Sequence, residues 1–261
     1  MMKKFAFLIL FLAGNWAVAR AQCDSSYLST TLQAGQWLGD YAWSFVTITP
    51  EQEEQAGDEM FAYIEENFRL LPDDPRAQKL RRILNKMLPF VKRPEIKYDI
   101  HLVEDDALIN AFSIAGGHLF VTTGIIDWVQ SDDELAFIIG HEIAHVDLEH
   151  CIRHVKRSMT IQTWAEYLQM GDYAGLIDQL QGVLGTPFGQ VDEYQSDREG
   201  AYLTWKAGYN PRKGQDFFRK LQAQESPGEL PYDLDVLLRT HPYSMQRIDC
   251  LEHYIAHEMK K

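Results

Sequence analysis

The sequence is poor in positive charge and in repeats. It has 25 lysine and arginine residues against 38 aspartate and glutamate residues, which gives a formal net charge of −13. So acidic a surface argues against binding to nucleic acid, or to anionic lipid headgroups by charge. Internal repeats and low-complexity linkers are absent, which favours one folded domain over an array of modules.

Long hydrophobic runs are also scarce. The one apolar run that stands out covers residues 5–13, and it is far shorter than the roughly 20 residues that span a bilayer. Two lysines precede it, and Ala19-Arg20-Ala21 follows with the small residues of a cleavage site. We therefore predict a secretory signal peptide over residues 1–21 and a single domain over residues 22–261. Cleavage would remove three of the 25 basic residues, leaving a mature charge of −16.

Cysteine is limited to three residues, so at least one thiol is not paired within the chain. An exported protein permits a disulfide, and a Cys151–Cys250 bridge is our hypothesis. Cys23 lies just past the predicted cleavage site, where lipoproteins carry a lipid, but the preceding Arg20-Ala21-Gln22 does not suit lipoprotein processing. We expect a periplasmic location, with a lipid anchor at Cys23 or secretion as the alternatives.

The hydrophobic periodicity predicts a mainly α-helical α+β fold. Helices are predicted at 31–46, 50–68, 74–88 and within 158–184, and another begins at Ser131, where Glu134 completes the pattern of a capping box. Three strands are predicted, at 96–103, 110–114 and 118–122. We expect them to form a small antiparallel β-sheet that packs against the helix after Ser131.

One strand of this sheet has a possible role in substrate binding. An edge strand that contains Asn110, Ala111 and Phe112 could hold an extended peptide through backbone hydrogen bonds. A purely structural role for the hairpin is the alternative.

The helix that begins at Ser131 contains the pattern His-Glu-x-x-His. His141 and His145 are four residues apart and share one face, while Glu142 projects beside them. Such a helix is typical of a zinc site in which the glutamate is the general base. Two core-facing histidines beside an exposed glutamate are the alternative. His150 and His154 are also four apart, but we interpret them as surface or capping residues.

A third protein ligand must come from another segment, because two histidines and a water leave a tetrahedral zinc ion incomplete. The best candidate is Glu193, with Asp197 one helical turn later as acceptor for the N–H of a metal-binding imidazole. On spacing alone, two neighbouring carboxylates remain candidates: Asp192 and Glu199.

Over residues 75–255 the chain resembles the HtpX/CAAX-prenyl-protease family of zinc metallopeptidases. The resemblance is carried by four features: the Asn110-Ala111-Phe112 and Gly116-Gly117 hairpin, His141-Glu142-x-x-His145, Glu193-x-x-x-Asp197-x-x-Gly200, and Thr240-His241-Pro242 with Arg247. Without predicted spans in the mature chain, it is similar to the soluble periplasmic branch of BepA-like and LoiP-like proteins. Two departures stand out: Gln195-Ser196 replaces the usual Glu-Ala, and Ala115 replaces a common Pro.

The resemblance implies a gluzincin-like metallopeptidase domain with one Zn²⁺ per chain, bound by His141, His145 and Glu193. It implies Glu142 as the base and places His241 and Arg247 at the active site. There we predict that His241 and Arg247 stabilise the oxyanion, or that His241 caps the zinc in a latent state. The alternative is that His241 and Pro242 only begin a helix.

The resemblance further implies a zinc-dependent endopeptidase that hydrolyses misfolded or misassembled cell-envelope proteins. Its partners would be polypeptide substrates, with a possible association with envelope assembly machinery. The alternative from another class is a periplasmic chaperone or assembly factor that binds extended chains and rarely cleaves them. A structural zinc protein is the third possibility. Glu142 argues against it, because this glutamate lies next to the predicted metal without being one of its ligands.

Overall fold

The structure, a computed structural model, describes Cys23 and residues 47–158, 187–224, 237, 239–241 and 245–259. The predicted signal peptide, the predicted helix at 31–46 and Pro242 lie outside these residues, as do nearly all of the predicted helical region 158–184 and most of the loop 226–240.

The described part of the chain is mainly helical with one small sheet, as predicted. The helices are α1 (Pro50–Asn67), α2 (Pro75–Met87), α3 (Thr123–Trp128), α4 (Asp132–Asp147), α5 (His150–Ser158), α6 (Gln190–Lys206), α7 (Lys213–Gln224) and α8 (Met245–His257). The strands are β1 (Asp99–Val103), β2 (Ala111–Ser113) and β3 (His118–Thr122). None of the helices in these ranges combines the length and apolarity of a membrane span.

The sheet is mixed, so the prediction that all of its strands are antiparallel is wrong. Its order is β1-β3-β2, with β2 antiparallel to β3 and β1 parallel to β3. The turn between β2 and β3 contains Gly116 and Gly117 at positive φ, a conformation that glycine adopts without strain. Every residue of β3 is buried, which suits its central position between β1 and β2. The tight turn makes β3 antiparallel to β2, whereas the longer connection from β1 allows β3 to run parallel to β1.

Helix α4 lies at the centre of the described fold. Every residue from Glu134 to Asp147 is buried, as expected for a helix that is covered on all sides. It packs against α2, α6, α7 and β2. This burial excludes water from the histidines that the helix carries.

The N-terminus of α4 has only one half of the predicted capping box. Ser131 is the N-cap and accepts a hydrogen bond from the backbone N–H of Glu134. The Glu134 carboxylate accepts instead from the backbone N–H of Gln130 and pairs with Lys220, so the reciprocal half of the box is absent. The helix ends before Glu149, which has φ +61°.

The hypothesis of a Cys151–Cys250 disulfide is wrong. Cys250 of α8 is bonded to Cys23, with a Cα–Cα distance of 5.2 Å. This bond uses the sulfur that a lipid anchor at Cys23 would need. Cys151 is a buried free thiol in the apolar cluster of α1 and α5, whereas Cys250 lies beside Tyr194 of α6. Cys151 and Cys250 therefore lie in different parts of the fold.

Candidate metal centre

Two glycines allow α4 and α6 to cross with their backbones in contact. A Cβ added to Gly200 would lie 2.7 Å from the backbone N of His141, and one added to Gly140 would lie 2.8 Å from the carbonyl of Gly200. Both distances are shorter than real side chains permit. Because Glu193 and Asp197 precede Gly200 on α6, this close crossing brings their carboxylates over the histidines of α4.

Four donor atoms converge at this crossing, and all four side chains are buried. His141 Nε2 lies 3.0 Å from His145 Nε2. Glu193 places Oε2 3.6 Å from His141 Nε2 and Oε1 3.4 Å from His145 Nε2. His241 adds Nδ1, which is 3.1 Å from Glu193 Oε1. The predicted residues His141, His145 and Glu193 therefore meet at one point, and Glu193 is favoured over Asp192 and Glu199.

These separations match the requirements of a bound metal ion. Ligand atoms about 2.0–2.1 Å from a tetrahedral metal are about 3.4 Å apart. The charge states are suitable as well, because metal binding requires neutral imidazoles and ionised carboxylates. Burial holds the pKa of His145 well below its ordinary value. Burial alone would raise the pKa of Glu193, but Arg247 and His241 hold it well below its ordinary value. The residues present fit a divalent metal.

Asp197 and Arg247 fix this arrangement from behind. Asp197 Oδ1 lies 3.0 Å from His141 Nδ1, the atom opposite the converging nitrogen. Arg247 donates from Nε and Nη2 to Asp197, both at 2.7 Å, and its Nη1 lies 2.6 Å from Glu193 Oε2. All three guanidinium nitrogens thus contact carboxylates. This favours a positioning role for Arg247 over the predicted role at an oxyanion.

His150 belongs to the centre, so its interpretation as a surface or capping residue is wrong. It is buried, and its Nδ1 lies 3.2 Å from His145 Nδ1. The same nitrogen lies 3.1 Å from Ser196 Oγ, and Nε2 lies 3.0 Å from Gln195 Oε1. Gln195 and Ser196, which replace the Glu-Ala of the family pattern, therefore both contact His150. Burial lowers the pKa of His150 to about 4, so the neutral ring can accept the Nδ1 hydrogen of His145.

Glu142 lies beside the donor cluster but does not belong to it. Its Oε2 accepts a hydrogen bond of 2.9 Å from Ser113 Oγ of β2. Its Oε1 lies 3.5 Å from His241 Nε2. The Ser113 hydroxyl also lies 3.6 Å from the Cys151 thiol. The carboxylate is therefore held in one orientation at the edge of the site, as a general base requires.

His241 lies between two clefts. One cleft is lined by Glu142, by His241 and by apolar residues of α4 and α7, which are Phe137, Ile138, Phe217, Phe218 and Leu221. The other is lined by β2 and α5 residues and by Phe188. Burial alone would lower the pKa of His241, but the Glu193 and Glu142 carboxylates raise it. The contact of His241 with the donor cluster is the arrangement expected if its imidazole caps the zinc in a latent state.

Strand β2 is an edge of the sheet and borders both clefts. Asn110 accepts a backbone hydrogen bond from Thr122, and Ile114 donates one to His118. Because hydrogen-bonded pairs alternate in an antiparallel ladder, the backbone groups of Ala111 and Ser113 point away from β3. Of the three predicted substrate-binding residues, Ala111 has outward backbone groups, Asn110 is committed to Thr122, and Phe112 presents its side chain to the second cleft.

Sequence reasoning missed Ser113, His150 and Phe188. The ring of Phe188 stacks on that of His145 with centroids 3.9 Å apart, but a single aromatic residue outside any motif gives no signal of such a contact. Ser113 lies in a predicted strand, but the pattern does not show which helix that strand faces. For His150 a signal existed, since it follows His145 by five residues, yet the turn between α4 and α5 controls where its ring points.

Comparison with known proteins agrees with this geometry. The profile of peptidase family M48 matches residues 74–255. Mitochondrial metalloendopeptidase OMA1 of Arabidopsis thaliana is 31% identical over 182 residues, covering 67% of this chain and 35% of that protein. Beta-barrel assembly-enhancing protease of Yersinia pestis is 25% identical over 217 residues, covering 77% of this chain and 43% of that protein. The chain thus spans less than half the length of these two relatives.

Proposed function

The chain belongs to peptidase family M48, whose members are metal-dependent proteases, and we propose that it is a zinc-dependent endopeptidase. Within that family we assign it to the HtpX/CAAX-prenyl-protease-like group, in the branch similar to BepA-like and LoiP-like proteins. The observation that carries the proposal is the convergence of His141, His145 and Glu193 beside a separately held Glu142.

The side chains divide the chemistry among them. A zinc ion held by the three donors would supply Lewis acidity and lower the pKa of a bound water. Glu142 takes a proton from the attacking water and returns it to the leaving amine. Ser113 keeps Glu142 oriented by its hydrogen bond. His150 forms a hydrogen bond with the outer nitrogen of His145, and the Asp197 carboxylate lies 3.0 Å from the outer nitrogen of His141. Both contacts favour inner nitrogens that are directed at the centre.

The clefts support an extended polypeptide as the substrate. The outward backbone groups of Ala111 and Ser113 suit a peptide that adds to the edge of β2. The apolar cleft between α4 and α7 would accept a bulky apolar side chain next to the cleaved bond. Unfolded chains expose such side chains and folded proteins bury them, which favours misfolded or misassembled proteins as substrates.

We further propose that these substrates belong to the cell envelope. Support comes from the predicted signal peptide at residues 1–21, from the periplasmic location it implies, and from relatives named beta-barrel assembly-enhancing protease. Association with envelope assembly machinery is part of this proposal.

His241 gives the proposed enzyme a latent form. It fills the space between the two clefts and contacts Glu142 and Glu193, so a peptide that continues from one cleft into the other must displace it. The oxyanion role predicted for His241 would then belong to the displaced form.

Replacement of Glu142 by glutamine tests the proposal. The E142Q protein should bind one zinc ion at the centre like the wild type but cleave unfolded casein at least about 100-fold more slowly, the usual contribution of a general base. The matched control is E149Q, because Glu149 is exposed and has no place in the site. Unchanged cleavage by E142Q would remove the hydrolytic mechanism.

If the wild-type protein is inactive, two explanations remain: a latent enzyme, or the chaperone alternative. The H241A variant separates them, because this variant lacks the imidazole that a peptide must otherwise displace. Cleavage by H241A indicates latency. If H241A is inactive, and wild type, H241A and E142Q prevent aggregation of unfolded protein equally well, the chaperone or assembly-factor function would instead be favoured, because that function needs neither the general base nor an oxyanion group.

A further inference from the structure

A second group of metal-donor side chains lies on the sheet. Among the described residues, only one group besides the metal centre brings three such side chains within ligand distance of one another: Asp99, His101 and His118. His118 Nδ1 and His101 Nε2 lie 2.9 and 3.0 Å from the same atom, Asp99 Oδ1. None of these residues takes part in the proposed proteolysis.

The register of the sheet explains why the three side chains meet. Asp99 and His118 are paired residues of the parallel strands β1 and β3, so their side chains lie next to each other on one face. His101 follows Asp99 by two residues and therefore projects from the same face. Phe61 of α1 covers this face, and its ring centroid lies 4.6 Å from that of His101 and 4.9 Å from that of His118.

One donor atom of the group is unsatisfied. His101 Nε2 is buried and makes no hydrogen bond, because Asp99 Oδ1 is near but wrongly directed for one. A buried polar atom without a partner is uncommon in proteins. A metal ion between this nitrogen and its two neighbours would satisfy it, and separations of about 3.4 Å between ligands require only small side-chain movements.

We propose that Asp99, His101 and His118 form a second, structural metal site for a divalent ion of the zinc class. Two imidazoles and one carboxylate form a donor set that suits Zn²⁺, Co²⁺ or Ni²⁺ and not Ca²⁺ or Mg²⁺, which prefer oxygen. Asp58 of α1 completes the arrangement, since its Oδ1 lies 3.1 Å from His118 Nε2 and can accept that hydrogen. Metal-bound histidines typically have such a carboxylate partner.

The site would join α1 to the sheet. Asp58 reaches it from α1, while the three ligands come from β1 and β3. Beyond it, the rings of Phe61, Phe120 and Phe112 continue across the sheet to the edge strand β2. An ion that binds the folded state alone stabilises that state, so zinc should stabilise the protein even when the first centre is disabled.

The test is the zinc stoichiometry of untagged, chelator-treated protein, measured by calorimetric titration with ZnCl₂. The wild type should bind two equivalents, and D99N and H101Q should each bind one. H141Q/H145Q should also bind one, and zinc should still raise its melting temperature, an effect that the added substitution H101Q should abolish. Asp99 and His101 are partly exposed, so two independent variants are expected to fold.

The control is H253Q, because His253 also faces a carboxylate, Glu258 at 3.9 Å, but belongs to neither donor group of the described residues. This variant should keep two equivalents. A wild type with one equivalent, or a second equivalent that survives both D99N and H101Q, would overturn the proposal. The result does not depend on peptidase activity, because H141Q/H145Q reports the second site alone.

Discussion

Arg247 provides the sharpest test of the electrostatics behind the metal centre. It is 2% exposed and lies against two carboxylates, Glu193 and Asp197, which are equally buried. The substitution R247M keeps a side chain of similar length but removes the charge. Both carboxylates would then lose their main counter-charge in a region from which water is excluded.

We expect R247M to lower the free energy of unfolding strongly, because the carboxylate partners of the buried ion pair remain without their counter-charge. Such changes destabilise proteins by about 3–5 kcal/mol, which for a chain of this size corresponds to a fall in melting temperature of roughly 6–20 °C. Zinc would supply a replacement charge next to Glu193. We therefore expect the loss in free energy of unfolding to be smaller in saturating zinc than in chelator.

The assay is urea denaturation of wild type and R247M in chelator and in zinc. The matched control is R198M, because Arg198 of α6 forms an exposed pair at 2.8 Å with Glu258, the residue that follows α8. Exposed pairs contribute about 0.2–1 kcal/mol. Equal, small losses for R247M and R198M, or a loss for R247M that zinc does not change, would refute the reasoning.

Three further predictions concern other parts of the described fold. H150L should weaken zinc binding about 10–100-fold by removing the acceptor for His145, whereas H154L should not; equilibrium dialysis measures both. G200A should lower zinc affinity and destabilise the fold by about 1–3 kcal/mol, because its methyl group meets the backbone of His141; unchanged values would contradict the close crossing. Burial and the adjacent Asp58 raise the pKa of Glu59 from 4.5 to about 7, so ionisation weakens the folded state as pH rises between these values. E59Q should therefore stabilise the protein by about 1–2 kcal/mol at pH 8, a value discounted for partial exposure, and not at pH 4; equal effects at both pH values would exclude this cause.

Local patterns predicted the helical half of the site well. Ser131 begins α4, and His141 and His145 share a face because helical periodicity depends only on neighbours in sequence. Helices α1 and α2 begin at Pro50 and Pro75, with Thr49 and Asp74 as N-caps. Capping and proline preferences are properties of a few consecutive residues, which is why these ends were predictable.

Features that depend on distant parts of the chain were not predictable in the same way. The parallel pairing of β1 with β3 follows from which strand lies in the middle, and alternation of apolar residues does not encode that order. The pairing of Cys23 with Cys250 depends on where α8 packs. His150 and Ser113 join the site only because a turn and a strand face α4, so sequence spacing gave no measure of their distance from the predicted metal ligands.

We propose that two imidazoles of α4 and a carboxylate of α6 bind the same ion. A crystal structure of zinc-loaded protein, with anomalous scattering recorded on both sides of the zinc absorption edge, tests it directly. We predict an anomalous peak about 2.0–2.2 Å from Nε2 of His141, Nε2 of His145 and one carboxylate oxygen of Glu193. A zinc ion bound without Glu193, or no peak between α4 and α6, would contradict the account.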